Sequence, residues 1–186
     1  LLSEAEGRIE GHRDGHGFVI RADGEPSIYL APQEMRHVLH GDQVRARILR
    51  YDRKGRPEGR VLDLVSRRER PIIGRLLHEG GAWIVAPEDK RYGQDILIPK
   101  NATGAAQPGQ VVSVELTEVP SLHAQPVGRI VEVLGDIDDP GMEIEIAVRI
   151  AAADPLSKDA GELPWDQVAV APGHLFVVGD PKQSIY

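Results

Sequence analysis

Apolar and polar positions alternate with a period of two along most of the first 135 residues: Ile28 and Leu30 flank Tyr29, and Val44, Ala46 and Ile48 interleave with Arg45 and Arg47. Such alternation reads as strands with one buried face. The runs are broken by turn signals such as Ala22-Asp23-Gly24 and Lys54-Gly55-Arg56-Pro57, which supply the residues that tight turns require. Only the stretch Pro32 to Leu39 reads as a short helix or turn.

The pattern repeats. Gly7-Arg8-Ile9 aligns with Gly74-Arg75-Leu76, Phe18-Val19-Ile20 with Trp83-Ile84-Val85, and Ile28-Tyr29-Leu30 with Ile96-Leu97-Ile98. The segments starting at Gly41 and Gly109 align without gaps, and so do those starting at Gly59 and Gly128. Two copies of one module follow, near 7–68 and 72–135, each with five predicted strands. Their period exceeds the usual solenoid range of about 20–50 residues, so each copy is expected to fold as a unit. An open sheet of this size would leave unprotected edges, which points to an all-β chain of two small closed barrels. The expected domains are 1–68 and 69–136, then a linker over 137–150 and a segment 151–186 too small to be a domain of its own.

Alternation also assigns faces. His16 and Phe18 point opposite to Gly17 and Val19, Tyr29 opposite to Ile28 and Leu30, and Arg45 and Arg47 away from the core. His16, Phe18 and Tyr29 then share an outer sheet face with arginines nearby, the combination on which unpaired bases stack while cations follow the backbone. Trp83, aligned with Phe18, reads as half core and half stacker, and Tyr92 in the following loop as its partner, with the second copy the weaker binder.

Hydrophobic residues make up 41% and charged residues 27% of the chain, which suits a folded protein and excludes disorder and collagen. No run approaches the roughly 18 apolar residues of a membrane span, so no membrane partner is expected. With Phe 2, Trp 2 and Tyr 4, the core must come from aliphatic side chains. The absence of cysteine removes disulfides and thiolate chemistry and fits a reducing, cytoplasmic setting. The first residues show no secretory signal and the chain does not begin with Met, so it reads as a fragment, and as a monomer.

Net charge is −7, which by itself argues against nucleic acid. The distribution reverses that: residues 36–70 hold eleven Lys or Arg against five acids, +6, leaving −13 for the remainder. A basic block inside an acidic chain is the footprint of a phosphate-binding face. Lys54 and Arg56 in its turn join Arg45 and Arg47 as candidate phosphate contacts.

Gly11-His12-Arg13-Asp14-Gly15-His16-Gly17-Phe18-Val19-Ile20 and Ser27-Ile28-Tyr29-Leu30 resemble the ribonucleoprotein motifs of cold-shock domains. Residues 35–42, 94–99 and 125–135 extend the likeness to the tandem cold-shock region of the ribonuclease R family, and Pro140 to Arg149 resembles the approach to that family's catalytic domain. The resemblance implies two OB-fold barrels that feed single-stranded RNA to a 3′-to-5′ exoribonuclease. It also implies Mg2+ for a catalytic domain whose aspartate cluster has no counterpart after Arg149, so the chain alone is expected to bind RNA, hold no cofactor and cut nothing. Asp136, Asp138 and Asp139 sit in a Pro-Gly linker and are not read as a metal site.

From Ala151 the pattern changes, and Gly179-Asp180-Pro181-Lys182-Gln183-Ser184-Ile185-Tyr186 resembles a motif of UvrD/RecB-type DNA helicases, in which Gln183 would sense a nucleotide γ-phosphate. No phosphate-cradling Gly-x-x-x-x-Gly-Lys-Ser/Thr loop occurs, so ATP hydrolysis is not assembled here. Two unrelated patterns meeting near residue 150 suggest a joined gene or, as the reading favoured here, an artefactual join, with a partly ordered tail. The competing readings are a helicase fragment and a barrel pair serving as spacer or interaction module. Spacings of His12 to His16 and of His37 to His40 raise the thought of a metal, but with no third ligand near in sequence they read as surface or hydrogen-bonded histidines.

Overall fold

The structure, a computed structural model, describes residues 3–67 and 69–153. Gln183 and the rest of the helicase-like segment lie outside the described residues.

The first barrel is built from β1 (Glu4–Gly11), β2 (Gly17–Arg21), β3 (Ile28–Leu30), β4 (Gln43–Tyr51) and β5 (Pro57–Ser66), closed in the order β1-β2-β3-β5-β4. The second uses β6 (Ile72–Glu79), β7 (Ala82–Pro87), β8 (Ile96–Ile98), β9 (Gln110–Glu118) and β10 (Val127–Asp136) in the same cyclic order. In both, the third and fifth strands pair in parallel and all other neighbours are antiparallel. This is the five-stranded barrel the alternation predicts. A 3-10 turn over Glu34–His37 fills the place of the expected short helix.

Each barrel closes on aliphatic side chains, as the scarcity of aromatics requires. Ile9, Val19, Ile28, Leu30, Val38, Val44, Ala46 and Ile48 form the first core. Ile72, Leu76, Val85, Ile96, Ile98, Ala106, Val112 and Val114 form the second. The repeated glycines mark close approaches. A Cβ on Gly7 would stand 2.2 Å from the Ile20 carbonyl oxygen, and one on Gly74 would stand 2.5 Å from that of Ala86. Only glycine lets the strands cross at these equivalent points.

A further element lies where the sequence reads as a linker. Met142–Ala153 is an α-helix, α1. Met142 and Ile146, one turn apart, are buried with Ile73 and Val111 against the outside of the second barrel, with Leu134, Ile137 and Ile150 around them. Arg149 clamps Glu132 of β10 through two hydrogen bonds of 2.8 and 3.0 Å, and Arg70 donates to the Ala152 carbonyl near the helix end. The guanidinium of Arg149 holds the Glu132 carboxyl below its usual range.

Candidate nucleic-acid interface

The outer face of β2 and β3 carries the aromatic residues the alternation places there. Phe18 is registered directly against Tyr29, and their ring centroids lie 5.8 Å apart, tilted by 67°. His16 sits 5.6 Å from both rings, and His12 stacks on His16 at 4.2 Å. All four side chains are half-buried, so each has an open flank. The inner face is fixed equally firmly: Val19 is buried in the core, and a Cβ on Gly17 would meet the Met35 sulfur at 2.5 Å. The strand therefore cannot flip Phe18 inward without filling that space.

The cations are distributed differently from the sequence expectation. β4 borders β1 and β5, never β2 or β3, so a strand separates Arg45 and Arg47 from the rings on either route, a spacing of about 10 Å. Both are engaged by carboxylates. Arg45 contacts Asp63 and Glu4, and Arg47 donates to Glu4 at 2.7 Å. The Arg47 hydrogen bond holds the Glu4 carboxyl low, and the bond to Asp63 raises the Arg45 guanidinium. Cross-strand acids thus neutralise much of the basic block, since Arg50 pairs with Glu58 and Arg67 with Asp42 as well.

Lys54 and Arg56 lie in the β4–β5 hairpin, close in sequence to Glu58, which is registered with Tyr29. Asp52 organises this turn, accepting from the Arg56 and Lys54 amides at 2.8 Å each and from the Arg56 side chain at 2.7 Å. The Arg56 amide bond contributes most to holding the Asp52 carboxyl low. Lys54 is exposed, and among the described residues its ammonium has no hydrogen-bond or ion-pair partner. Arg13, in the turn before His16, and Arg36, in the 3-10 turn, are exposed cations that the sequence reading passed over.

The second barrel departs from its aligned counterpart by one residue. Leu76 pairs with Val85 as Ile9 pairs with Val19, which makes Ile84 the equivalent of Phe18 and Trp83 the equivalent of Gly17. A one-residue slip moves a side chain to the other face. Trp83 accordingly packs against the second core and stacks on His78 at 4.1 Å. The outward positions hold Ile84 and Leu97, registered with each other and carrying no ring. The expectation of Trp83 as a counterpart of Phe18 is corrected by this register.

Tyr92 is also placed elsewhere. It packs on the second core and meets His40 of the first barrel edge-on at 5.5 Å, so it joins the barrels instead of extending a stacking face. Beside it, a Cβ on Gly11 would fall 2.0 Å from the Arg91 carbonyl oxygen, and the Gln94 amide donates to the Arg36 carbonyl at 3.1 Å. A cleft of about 370 Å³ opens between the barrels, with His12, His16, Arg36, Tyr92, Gln94 and Gln125 among its walls. It begins at the His16 end of the aromatic face.

The structure also groups His12, Asp14 and His16 at the β1–β2 turn, with one potential ligand atom from each within 4.8 Å of the others. The spacing His-x-Asp-x-His is the sequence signal that the pairwise reading of the histidines overlooked. Asp139, by contrast, is used structurally: its carboxylate accepts from the Asp136 amide at 2.9 Å and its carbonyl from the Met142 amide at 3.1 Å. Both contacts stabilise the approach to α1.

Residues 7–64 match the Ribonuclease B OB domain family and residues 84–152 the Cold shock domain family. Ribonuclease R of Escherichia coli is 44% identical over 149 residues, covering 80% of this chain and 18% of that protein. The two barrels match the paired amino-terminal domains of ribonuclease R. The enzyme of Acidithiobacillus ferrooxidans is 40% identical over 145 residues, 77% of this chain and 33% of its own length. The chain therefore spans a minor part of the ribonuclease R sequences it matches. Among solved structures, Mycoplasma genitalium RNase R in complex with ribose methylated single-stranded RNA superposes with a TM-score of 0.65 at 17% identity, over 80% of this chain and 24% of that one. Yeast Ssd1, described as a pseudonuclease, gives 0.63 at 17% identity over 78% and 24%. Both carry the same fold of paired barrels.

Proposed function

We propose that this chain is the RNA-binding module of a ribonuclease R-type 3′-to-5′ exoribonuclease, and that its first barrel holds unpaired RNA on the β2–β3 face. The observation that carries this is the half-buried, outward-facing Phe18–Tyr29 pair, registered across two strands and continued by His16. Bases stack on such rings with little sequence preference, at roughly 1–3 kcal/mol per base. Lys54, Arg13 and Arg36 offer phosphate contacts around it, and Arg45, Arg47 and Arg56 join only if RNA displaces their carboxylates. The second barrel, without rings at the equivalent positions, acts chiefly as a spacer, and Trp83 and Tyr92 serve its packing and its joint with the first. The chain works as a monomer in the cytoplasm.

Mg2+ would serve hydrolysis in a catalytic domain of the parent enzyme. The described residues do not fit it: the three linker aspartates include one committed to backbone hydrogen bonds, and the other candidate ligand group is rich in imidazole, which suits softer metals. No step is assigned to Mg2+ here.

The test is a fluorescence titration of labelled single-stranded RNA and duplex DNA at several salt concentrations, beside a Phe18→Ala/Tyr29→Ala variant. Tight single-strand binding with a salt slope of several phosphates, weakened at least about thirtyfold in the variant, is expected. Absence of binding at low salt, or equal binding by the variant, overturns the proposal.

A further inference from the structure

The β1–β2 turn holds its three potential metal ligands on a short, doubly closed loop. The His12 amide donates to the His16 carbonyl and the Gly15 amide to the His12 carbonyl, each at 2.9 Å. Gly15 takes φ +98°, a conformation that favours glycine. The loop is backed on one side by Pro32, 3.7 Å from a Cβ on Gly15, and on the other by Gly93 of the second barrel, which lies close to the Gly15 Cα. The backbone that presents the three side chains is thus fixed from within and from both barrels.

On this frame the His12 and His16 imidazoles are half-buried and stacked at 4.2 Å with 19° between their planes. The Asp14 carboxylate lies 3.4 Å from His12 Nδ1 and is largely exposed. Donor atoms around a tetrahedral zinc ion stand at about 2.0–2.2 Å from it, so neighbouring donors are separated by about 3.3 Å. Bringing these three from within 4.8 Å of one another to that separation calls for side-chain rotation and, for ligation through His12 Nδ1, release of the hydrogen bond that this nitrogen accepts from the Asp14 amide at 3.1 Å. The stacked rings must tilt apart so that their lone pairs converge, which breaks the His12–His16 stack.

We propose that His12, Asp14 and His16 form a binding site for a first-row transition-metal dication of the Zn2+ class. Two imidazoles and one carboxylate select such ions over Mg2+, which prefers an all-oxygen octahedral shell. Three protein ligands leave a fourth position open to water or to an incoming donor. The site shares His16 with the proposed RNA face, but it goes beyond the RNA reading and its test requires no RNA.

The experiment is calorimetric titration of the full chain with ZnCl2 and, in parallel, MgCl2, repeated on His12→Ala and Asp14→Asn variants whose folding is verified by circular dichroism. One Zn2+ per chain, an affinity at least about tenfold weaker in each variant, and no Mg2+ heat are expected. In the unaltered protein, substoichiometric Co2+ should broaden the His12 and His16 ring resonances ahead of those of the other five histidines, His37, His40, His78, His123 and His174. The proposal is overturned by no Zn2+ binding, by Zn2+ binding unchanged in both variants, or by Co2+ broadening other histidines first.

Discussion

On the β2–β3 face the first barrel presents Phe18 and Tyr29, while on the equivalent β7–β8 face the second presents Ile84 and Leu97. The two barrels otherwise share strand order, pairing sense and the glycines at which strands cross. What separates them is the residue type at outward positions and the use of one inward position, Gly17 in the first and Trp83 in the second. Gly17 leaves room for the Met35 side chain, whereas Trp83 packs its own ring against the second core. Surface chemistry can therefore diverge between copies while the core and the topology stay fixed, because outward positions are under no packing constraint from the barrel.

The sharpest contrast lies beneath the surface. Asp42 is 1% exposed; it accepts from Arg67 through both oxygens at 2.8 and 2.6 Å and from the Leu39 amide at 2.8 Å. Its counterpart Gln110 is half-exposed and makes a single side-chain bond, from the Gln107 amide. Asp42→Ala leaves a largely buried guanidinium unpaired and should destabilise the first barrel by about 3–5 kcal/mol. Gln110→Ala should cost about 1 kcal/mol in the second. Urea unfolding followed separately for each barrel checks this, and equal losses would break the contrast.

Trp83→Ala should destabilise the second barrel by about 2–3 kcal/mol, less than for a fully buried tryptophan because the ring is half-exposed. Its RNA affinity should stay within about twofold of the unaltered chain. A large loss of affinity with intact stability would restore Trp83 as a stacking residue.

Grafting the platform tests the outward positions directly. Ile84→Phe with Leu97→Tyr should strengthen single-stranded RNA binding at least about fivefold, the effect of roughly 1 kcal/mol of added stacking. No gain in a folded variant would show that the rings need the neighbouring cations and His16 to act.

The smallest effect concerns α1, the helix docked on the second barrel. The Glu132 carboxyl is held below its ordinary value of 4.5, chiefly by the Arg149 hydrogen bond. Such a group contributes stability that is fully present above that ordinary value and is lost as pH falls through the lower folded-state value. The protection of α1 amides against exchange, taken relative to the intrinsic rate at each pH, should therefore fall on acidification below about pH 4.5, and Glu132→Gln should abolish most of that dependence.

Much of the fold was legible in residue order. The repeat, the five strands per copy and the inside-outside pattern of β2, β3 and β4 all follow from period-two alternation and turn residues, and with them the placement of Phe18, Tyr29 and His16. The core half of the Trp83 reading holds, but its alignment with Phe18 is off by one residue, because aligned sequences do not show which residues face each other across a strand pair. Arg45 and Arg47 read as available cations because their acids, Glu4 and Asp63, lie on other strands. The helix α1 was missed because Met-Glu-Ile-Glu-Ile-Ala-Val-Arg-Ile lacks a clean helical apolar stripe. Met142 and Ile146 are buried on one side while Ile144 and Val148 remain exposed.

The amino-acid sequence by itself determined that each copy closes into an aliphatic barrel and that one copy carries an aromatic outer face, since both depend on local alternation and on side-chain type. Tertiary structure decided which arginines are neutralised, that Tyr92 joins the barrels, that Trp83 turns inward and that Asp14 meets two histidines. Those outcomes depend on strand register and on the mutual packing of segments, where a shift of one residue reverses a face and a charge is satisfied by partners remote in the chain.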